Sequence, residues 1–476
     1  MMKSQLRTKY RTRPEKQSVL RRYRWTELSL FILPALILLL IMTQLFIANN
    51  VIEHIDPRSA YNPKILPTVQ GLIPALGLIV AFFVMHILLT IFFPKADQFL
   101  LPLVSLLSGI GVMMVTRIGR DQGFDLGSKQ LVWVLLGLIA CGLTMIALRY
   151  LPRFSRYKYT WIVLSFIALA PAVIKSIMDS DAGPARDALR FGPFNLQPSE
   201  FAKITIVIFF AAYLSENREI IAKGYMKLGR LHLPPLRHLG PLVMMLGLAL
   251  LIFLMVHDLG LALLIYCTFL CLMYLASGRL LYTVVSLLLF VGMAIISYNL
   301  FGYVQNRFRT VTFDIVHWQN WTPAQQYYAE NQGQQILQAV MAIASGGLLG
   351  SGIGLGHPTY VPVVESDMIF TGIGEEIGLI GLFALICLYA LIMYRGFRIA
   401  ITARDPFMQL LAGGLTSIFA IQTLVITLGN IKLLPLTGIP LPFLSYGGSS
   451  VLANYIIIGI LLRISHDTEM EKETVY

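Results

Sequence analysis

The feature that most constrains this chain is an apolar run of roughly 20 residues that recurs along its whole length. About 20 apolar residues are what a helix needs to cross a bilayer. Inside hydrocarbon every backbone N–H and C=O must find a partner within the segment, so such runs fold as helices. Twelve are predicted, near 27–48, 68–93, 98–116, 129–150, 158–177, 199–216, 238–256, 259–278, 279–302, 368–394, 406–430 and 449–465. With 56% hydrophobic and 13% charged residues, the composition excludes a soluble domain and predicts an all-α polytopic membrane protein. The first 24 residues carry nine Lys or Arg and enter an apolar run too long for a signal-peptide core, so they read as a basic cytoplasmic tail.

Charge sets the orientation. Basic clusters fall in alternate loops: Arg149, Arg153, Arg156 and Lys158; Arg218, Lys223, Lys227, Arg230 and Arg237; Arg395, Arg398 and Arg404. This is the positive-inside bias, and it predicts a multi-pass protein of the cytoplasmic membrane with both termini in the cytoplasm. The net charge of +12 therefore reads as topology and lipid-head contact rather than nucleic-acid binding. The opposite, outer face holds loops 49–67, 117–128, 178–198, 303–367 and 431–448, and the turn at His257-Asp258. Cys141, Cys267, Cys271 and Cys387 all lie in apolar runs and read as buried, unpaired small hydrophobes.

The outer face also carries the polar motifs. In "FNLQPSEFAKI", Glu200 sits in a helix first turn, where the dipole favours an anion, and Lys203 follows on the same face. The pair reads either as a cap with its counter-ion or as an interior pair facing a wet cavity, since Lys203 lies at lipid depth. Asp258 in "HDLG" is a cap or turn residue by the ordinary reading. Loop 303–367 is by far the longest. Its tryptophans, Trp318 and Trp321, fit a headgroup-level belt or a sugar-stacking surface. Its "QQILQAVMAIASGGLLG" predicts a short interfacial or re-entrant helix ended by Gly346-Gly347. "LPLTGIPLPFLSYGGSS" is too rich in Pro and Gly for a helix and reads as a connecting loop or a cavity lining. In "ESDMIFTGIGEEIG", Asp367 reads either as a helix cap or as the acid of a site. Glu375 and Glu376, inside the apolar run, are expected to pair with interior cations or backbone.

Taken in order, "FGPFNLQPSEFAKI", "HDLGLAL", "QQILQAVMAIASGGLLG", "ESDMIFTGIGEEIGLIG" and "LPLTGIPLPFLSYGGSS" resemble the SEDS family (shape, elongation, division and sporulation), which includes RodA and FtsW. The resemblance spans about residues 98–466. It implies a ten-helix catalytic membrane domain there, with the large outer loop 303–367, preceded by a basic tail (1–26) and two additional helices (27–97), and followed by a cytoplasmic tail (467–476). It implies polymerisation of lipid II into peptidoglycan strands, in elongation or division, beside a class B penicillin-binding protein. By this resemblance Asp367 is the catalytic acid, Glu200 and Lys203 match a buried pair, and Gln335 and Gln338 match loop glutamines. Glu365-Ser366 stands where the family often has His-Thr, and Val256-His257 where it often has Glu-Pro or Gln-Pro. A Trp usual ahead of "QPSE" is absent, with Phe191 nearby.

The chemistry is consistent with that assignment. A sugar hydroxyl attacks an anomeric carbon whose diphosphate leaves without a general acid if its charge is met, so one carboxylate base suffices. Lys203, Arg117, Arg186, Arg190, Arg307, Arg309 and Lys432 are the candidate cations for the diphosphate, and Ser445 a candidate polar contact. A divalent cation, Mg²⁺ or Mn²⁺, could share that role, though no ligand cluster marks one. A lipid-linked precursor flippase or transporter shares the helix count and midplane charges, and a scaffold of the division or elongation complex is a third reading. The absence of an inverted repeat and the acid at the outer surface oppose the flippase.

Overall fold

The computed structural model describes residues 23–54, 69–178, 189–191, 194–223, 226–228, 231–233, 236–255 and 258–475. The basic tail through residue 22, Arg186 and Val256-His257 lie outside them, as do the side chains of Arg190 and Phe191. The chain is built from helices: α1 (Trp25–His54), α2 (Val69–Phe92), α3 (Leu100–Asp121), α4 (Leu126–Ala147), α5 (Lys158–Met178), α6 (Pro198–Glu216), α7 (Arg218–Lys223), α8 (Leu236–Met255), α9 (Leu259–Ser277) and α10 (Leu280–Leu300). There follow α11 (Gly302–Thr312), α12 (Pro323–Glu330), α13 (Gln334–Gly346), α14 (Ile369–Thr402), α15 (Pro406–Asn430) and α16 (Gly448–Val475). Two tiny antiparallel hairpins, Leu189–Phe191 with Phe194–Leu196 and Met226–Leu228 with Leu231–Leu233, sit in loops. Helices form at all twelve predicted positions. Among the described residues eleven are long and apolar enough to cross a membrane; α8 contributes the shorter apolar stretch Gly240–Leu251.

Helix ends follow local chemistry. Asp125, Asp258 and Asp405 cap α4, α9 and α15 by accepting from Ser128, Leu261 and Phe407 N–H groups, at 3.1, 2.9 and 2.7 Å. Pro406 occupies the first turn of α15, where its missing N–H costs nothing. Thr322 and Gln325 form a reciprocal capping box on α12. The interior is formed by α3, α6, α9, α15 and α16, whose packed faces join one apolar core. By contrast α10 buries only Tyr282 of its side chains.

The two N-terminal helices are latched to the rest. Arg24, fully buried, donates to Glu27 Oε2 (2.5 Å) and to the carbonyls of Phe93, Ala96 and Asp97 (3.1, 2.7 and 2.9 Å) between α2 and α3. Glu27 also meets His86 Nδ1 at 2.8 Å. Asp97 in turn pairs with Arg395 of α14.

One helix is broken. α14 turns at Gly378, where φ is 70° and ψ −176°, a region essentially closed to other residues. The carbonyls and N–H groups freed by the break are met by the segment after α13. Ser351 and Gly352 donate to the Glu375 and Glu376 carbonyls (2.9 and 3.0 Å), while Leu379 and Ile380 donate to those of Gly347 and Leu348 (3.0 and 3.2 Å). A Cβ on Gly378 would stand 2.4 Å from Gly350 N and 2.5 Å from Leu348 O. Gly378→Ala is therefore expected to cost at least about 1–3 kcal/mol, read as a lower melting temperature of the purified protein. An unchanged melt would show that the turn can rebuild as ordinary helix.

Candidate active site

At one end of the bundle a cavity of about 870 Å³ is walled by the start of α6, the start of α9, α11, α13, residues 363–367 and residues 436–440. Glu200, Asp258, Arg307, Gln335 and Asp367 all face it. The polar motifs that are far apart in sequence thus converge on one space.

Asp367 sits two residues before α14. That helix starts from Met368 without any side-chain cap, so of the two readings of this acid the cap is not the one realised. Its Oδ1 accepts from Ser366 Oγ at 3.2 Å. The backbone beneath it is pinned at three successive carbonyls. Glu365 O accepts from Tyr446 N (2.7 Å), Ser366 O from Ser445 Oγ (2.5 Å) and Asp367 O from Asn430 Nδ2 (3.0 Å). Burial pushes the Asp367 carboxyl above the ordinary carboxylate range. Hydrogen bonds from its own N–H and Ser366, the Arg307 charge and the Gln335 amide pull the other way. A raised value makes the carboxylate a stronger base when ionised.

Glu200 is on the wall and Lys203 behind it. Lys203 Nζ, with no exposed surface, donates to Glu200 Oε2 at 2.6 Å and to Gln422 Oε1 of α15 at 2.9 Å. Gln422 Nε2 passes the connection on to Pro440 O at 2.7 Å. No side-chain cap starts α6, and the pair is an interior ion pair with its acid turned to a cavity. Arg307 Nη1 donates to Leu436 O at 2.5 Å, which fixes the guanidinium on the wall near Gly438.

Of the remaining described candidates Gln335 lines the cavity and the others stand behind or away from it. Ser445 acts on the backbone under Asp367, accepting from Leu441 N at 2.7 Å while holding Ser366 O. Gln335 Nε2 reaches Pro362 O at 3.4 Å, whereas Gln338 lies half-buried one turn further along α13. Lys432 donates to Phe313 O, and burial lowers its pKa while Asp314 holds it up. Arg309 covers the ring of Tyr328, 4.4 Å away, and Tyr328 lines the cavity. Arg117 pairs with Asp121 and Glu376 and donates to Gly354 O and Gly356 O, away from the cavity. Among the described residues no group of three or more His, Cys, Asp or Glu is placed to hold a metal. Gln422 and Asn430 were not singled out from the sequence. The signal for Gln422 was there: an amide in mid-run of an apolar helix needs an interior partner.

Removing one member of a buried ion pair costs roughly 3–5 kcal/mol because the other charge is stranded. Glu200→Ala is expected to lower both assembly and activity. The double change Glu200→Gln with Lys203→Met should recover the melting temperature but not the activity. A double variant with the wild-type rate would make the pair structural only.

Comparisons with known proteins identify the family. The family model of the FtsW/RodA/SpoVE cell cycle proteins matches residues 88–470. Peptidoglycan glycosyltransferase RodA of Mycobacterium tuberculosis is 36% identical over 388 residues, covering 80% of each chain. Probable peptidoglycan glycosyltransferase FtsW of Geobacter metallireducens is 31% identical over 363 residues, 74% of this chain and 88% of that one. Among solved structures, a chain from a peptidoglycan synthase complex that coordinates polymerization and crosslinking superposes with a TM-score of 0.61. That match is at 22% identity and covers 78% of this chain and 98% of that one. The rod shape determining protein RodA of Thermus thermophilus gives 0.52 at 21% identity, over 78% and 97%. By family model and by relatives above 30% identity, this chain belongs to the FtsW/RodA/SpoVE family, the SEDS proteins, on a shared polytopic helical fold.

Proposed function

We propose that this chain is a peptidoglycan glycosyltransferase that polymerises lipid II into glycan strands, with Asp367 as its base. The observation that carries the reading is that Asp367, not spent on capping α14, opens onto the same cavity as Arg307 and Gln335. An acceptor sugar hydroxyl attacks the anomeric carbon of the donor, the carbon–oxygen bond to the diphosphate breaks, and Asp367 takes the hydroxyl proton. The diphosphate leaves with its negative charge, which Arg307 on the same wall meets. A Mg²⁺ or Mn²⁺ ion would need no protein cluster here. Magnesium is commonly held by one or two carboxylates plus substrate phosphates, and Asp367 is such a carboxylate.

In this reading the cavity end is the outer face of the cytoplasmic membrane and both termini are cytoplasmic, which is supported by the basic residues of the opposite loops. Residues 98–466 form the catalytic domain, and 27–97 are an added helical hairpin. The partner is a class B penicillin-binding transpeptidase, since a structural relative comes from a complex that couples polymerization to crosslinking.

The test is strand synthesis by the purified protein supplied with lipid II, across Mg²⁺ and Mn²⁺ concentrations. Asp367→Asn keeps size and capping ability but removes the basic carboxylate. It is expected to express and bind lipid II normally while strand synthesis falls by about two or more orders of magnitude. Asp367→Glu, which shifts the carboxylate by one methylene, should lose roughly a hundredfold. Near-normal polymerisation by Asp367→Asn under all these conditions would remove Asp367 as the base, and translocation of lipid II without polymer would favour a flippase.

A further inference from the structure

We propose that Arg117 is a positioning residue, whose guanidinium clamps residues 354–356 onto α14 and so fixes the strand of chain that delivers Asp367 to the cavity. The proposal rests on the reading of Asp367 as the base. Between residues 347–352, which pair with the broken turn of α14, and Asp367 the chain has one regular element, a single 3₁₀ turn at Pro358–Tyr360. Something else must hold it. Arg117 Nη2 donates to Gly354 O at 3.3 Å and Gly356 O at 3.1 Å. Its Nη1 pairs with Asp121, one turn along α3, and its Nε stands 3.4 Å from Glu376 Oε1. The neighbouring Glu375 Oε1 accepts from His357 N at 2.8 Å. Glu375 and the arginine, itself paired with Glu376, thus grip three of the four residues 354–357. A few residues on, Pro362 O takes Gln335 and the chain turns into the cavity wall at Val363.

The clamp cannot swing to the substrate. Arg117 is 5% exposed and Glu376 3%. Their contact borders a separate apolar pocket of about 90 Å³, lined by Ile41 of α1, Met113 of α3, and Ile353, Ile373 and Ile377. A charge withdrawn from its partner there would meet hydrocarbon rather than water, so the pair is held in place by the cost of separating it. Arginine is required rather than lysine because only a planar fork reaches two carbonyls and two carboxylates at once. Helix α1, from the added hairpin, supplies one wall of the pocket that keeps the clamp dry.

Arg117→Lys retains the charge but not the fork. In lipid II polymerisation its kcat is expected to fall about tenfold or more, because small displacements of a catalytic group are costly. KM should change by less than about threefold, since substrate contacts are untouched. Should Arg117→Lys fail to fold, the double variant Arg117→Met with Glu376→Met, which strands no buried charge because Asp121 is part-exposed, carries the same test and the same expectation. A wild-type kcat in the folded variant overturns the proposal. So does a rise in KM with kcat retained, which would instead make Arg117 a substrate contact. Asp367→Asn run alongside keeps the two claims apart: activity there removes the base, whereas activity only in the Arg117 variants removes the clamp.

Discussion

An ammonium group with no exposed surface has to be answered from within, and the way Lys203 is answered organises the site. A charge at membrane depth costs roughly 2.5–3.5 kcal/mol on insertion scales. Here the charge has two acceptors, Glu200 Oε2 and Gln422 Oε1. The first places a carboxylate on the cavity wall. The second orients an amide that holds Pro440 O, and so fixes the non-helical segment 431–447 against α15. That segment then reaches the other wall through Ser445 and Tyr446, which bind the Ser366 and Glu365 carbonyls directly before Asp367. One buried cation is thus linked by hydrogen bonds to two elements that flank the acid.

Irregular backbone near a membrane survives only where protein or a cavity covers it. Among the described residues two such stretches stand out, and the first borders the site. The first is residues 431–447, one edge of the 870 Å³ cavity. The second is the broken turn of α14, whose exposed peptide groups pair with residues 347–352 as an edge strand would. The close approach needs glycine: a Cβ on Gly350 would stand 2.2 Å from Glu376 O. Helices fix the frame, and residues 431–447 both line the cavity and hold the backbone that leads into Asp367.

Much of this was legible in the sequence. The apolar runs located every long helix, and 406–430 matches α15 at both ends because Asp405-Pro406 is an unambiguous start. The "QQILQAVMAIASGG" segment gave α13 its limits for a different reason, a glycine in an unusual conformation at the end. Other features had no readable signal. α14 runs to Thr402 rather than 394, because Arg395 and Arg398 mark the edge of the apolar layer and not the end of the helix. The break at Gly378 was hidden, since glycines in "GIGEEIG" also fit a continuous helix packed closely on its neighbours. Whether Asp367 caps a helix turned on a difference of one or two residues in where α14 begins. Arg117 was grouped with the cations that could meet a diphosphate, although Asp121 four residues on already offered it a partner; its carbonyl contacts at residues 354 and 356 are tertiary and left no trace in local pattern.

The central claim is that the chemistry takes place in the cavity shared by Glu200, Arg307 and Asp367. The most direct measurement is a structure of the protein bound to lipid II and a donor that cannot transfer. The account predicts an acceptor hydroxyl within about 2.6–3.2 Å of an Asp367 carboxylate oxygen, with the donor diphosphate beside Arg307. Sugars bound elsewhere, with Asp367 facing only protein, would contradict it.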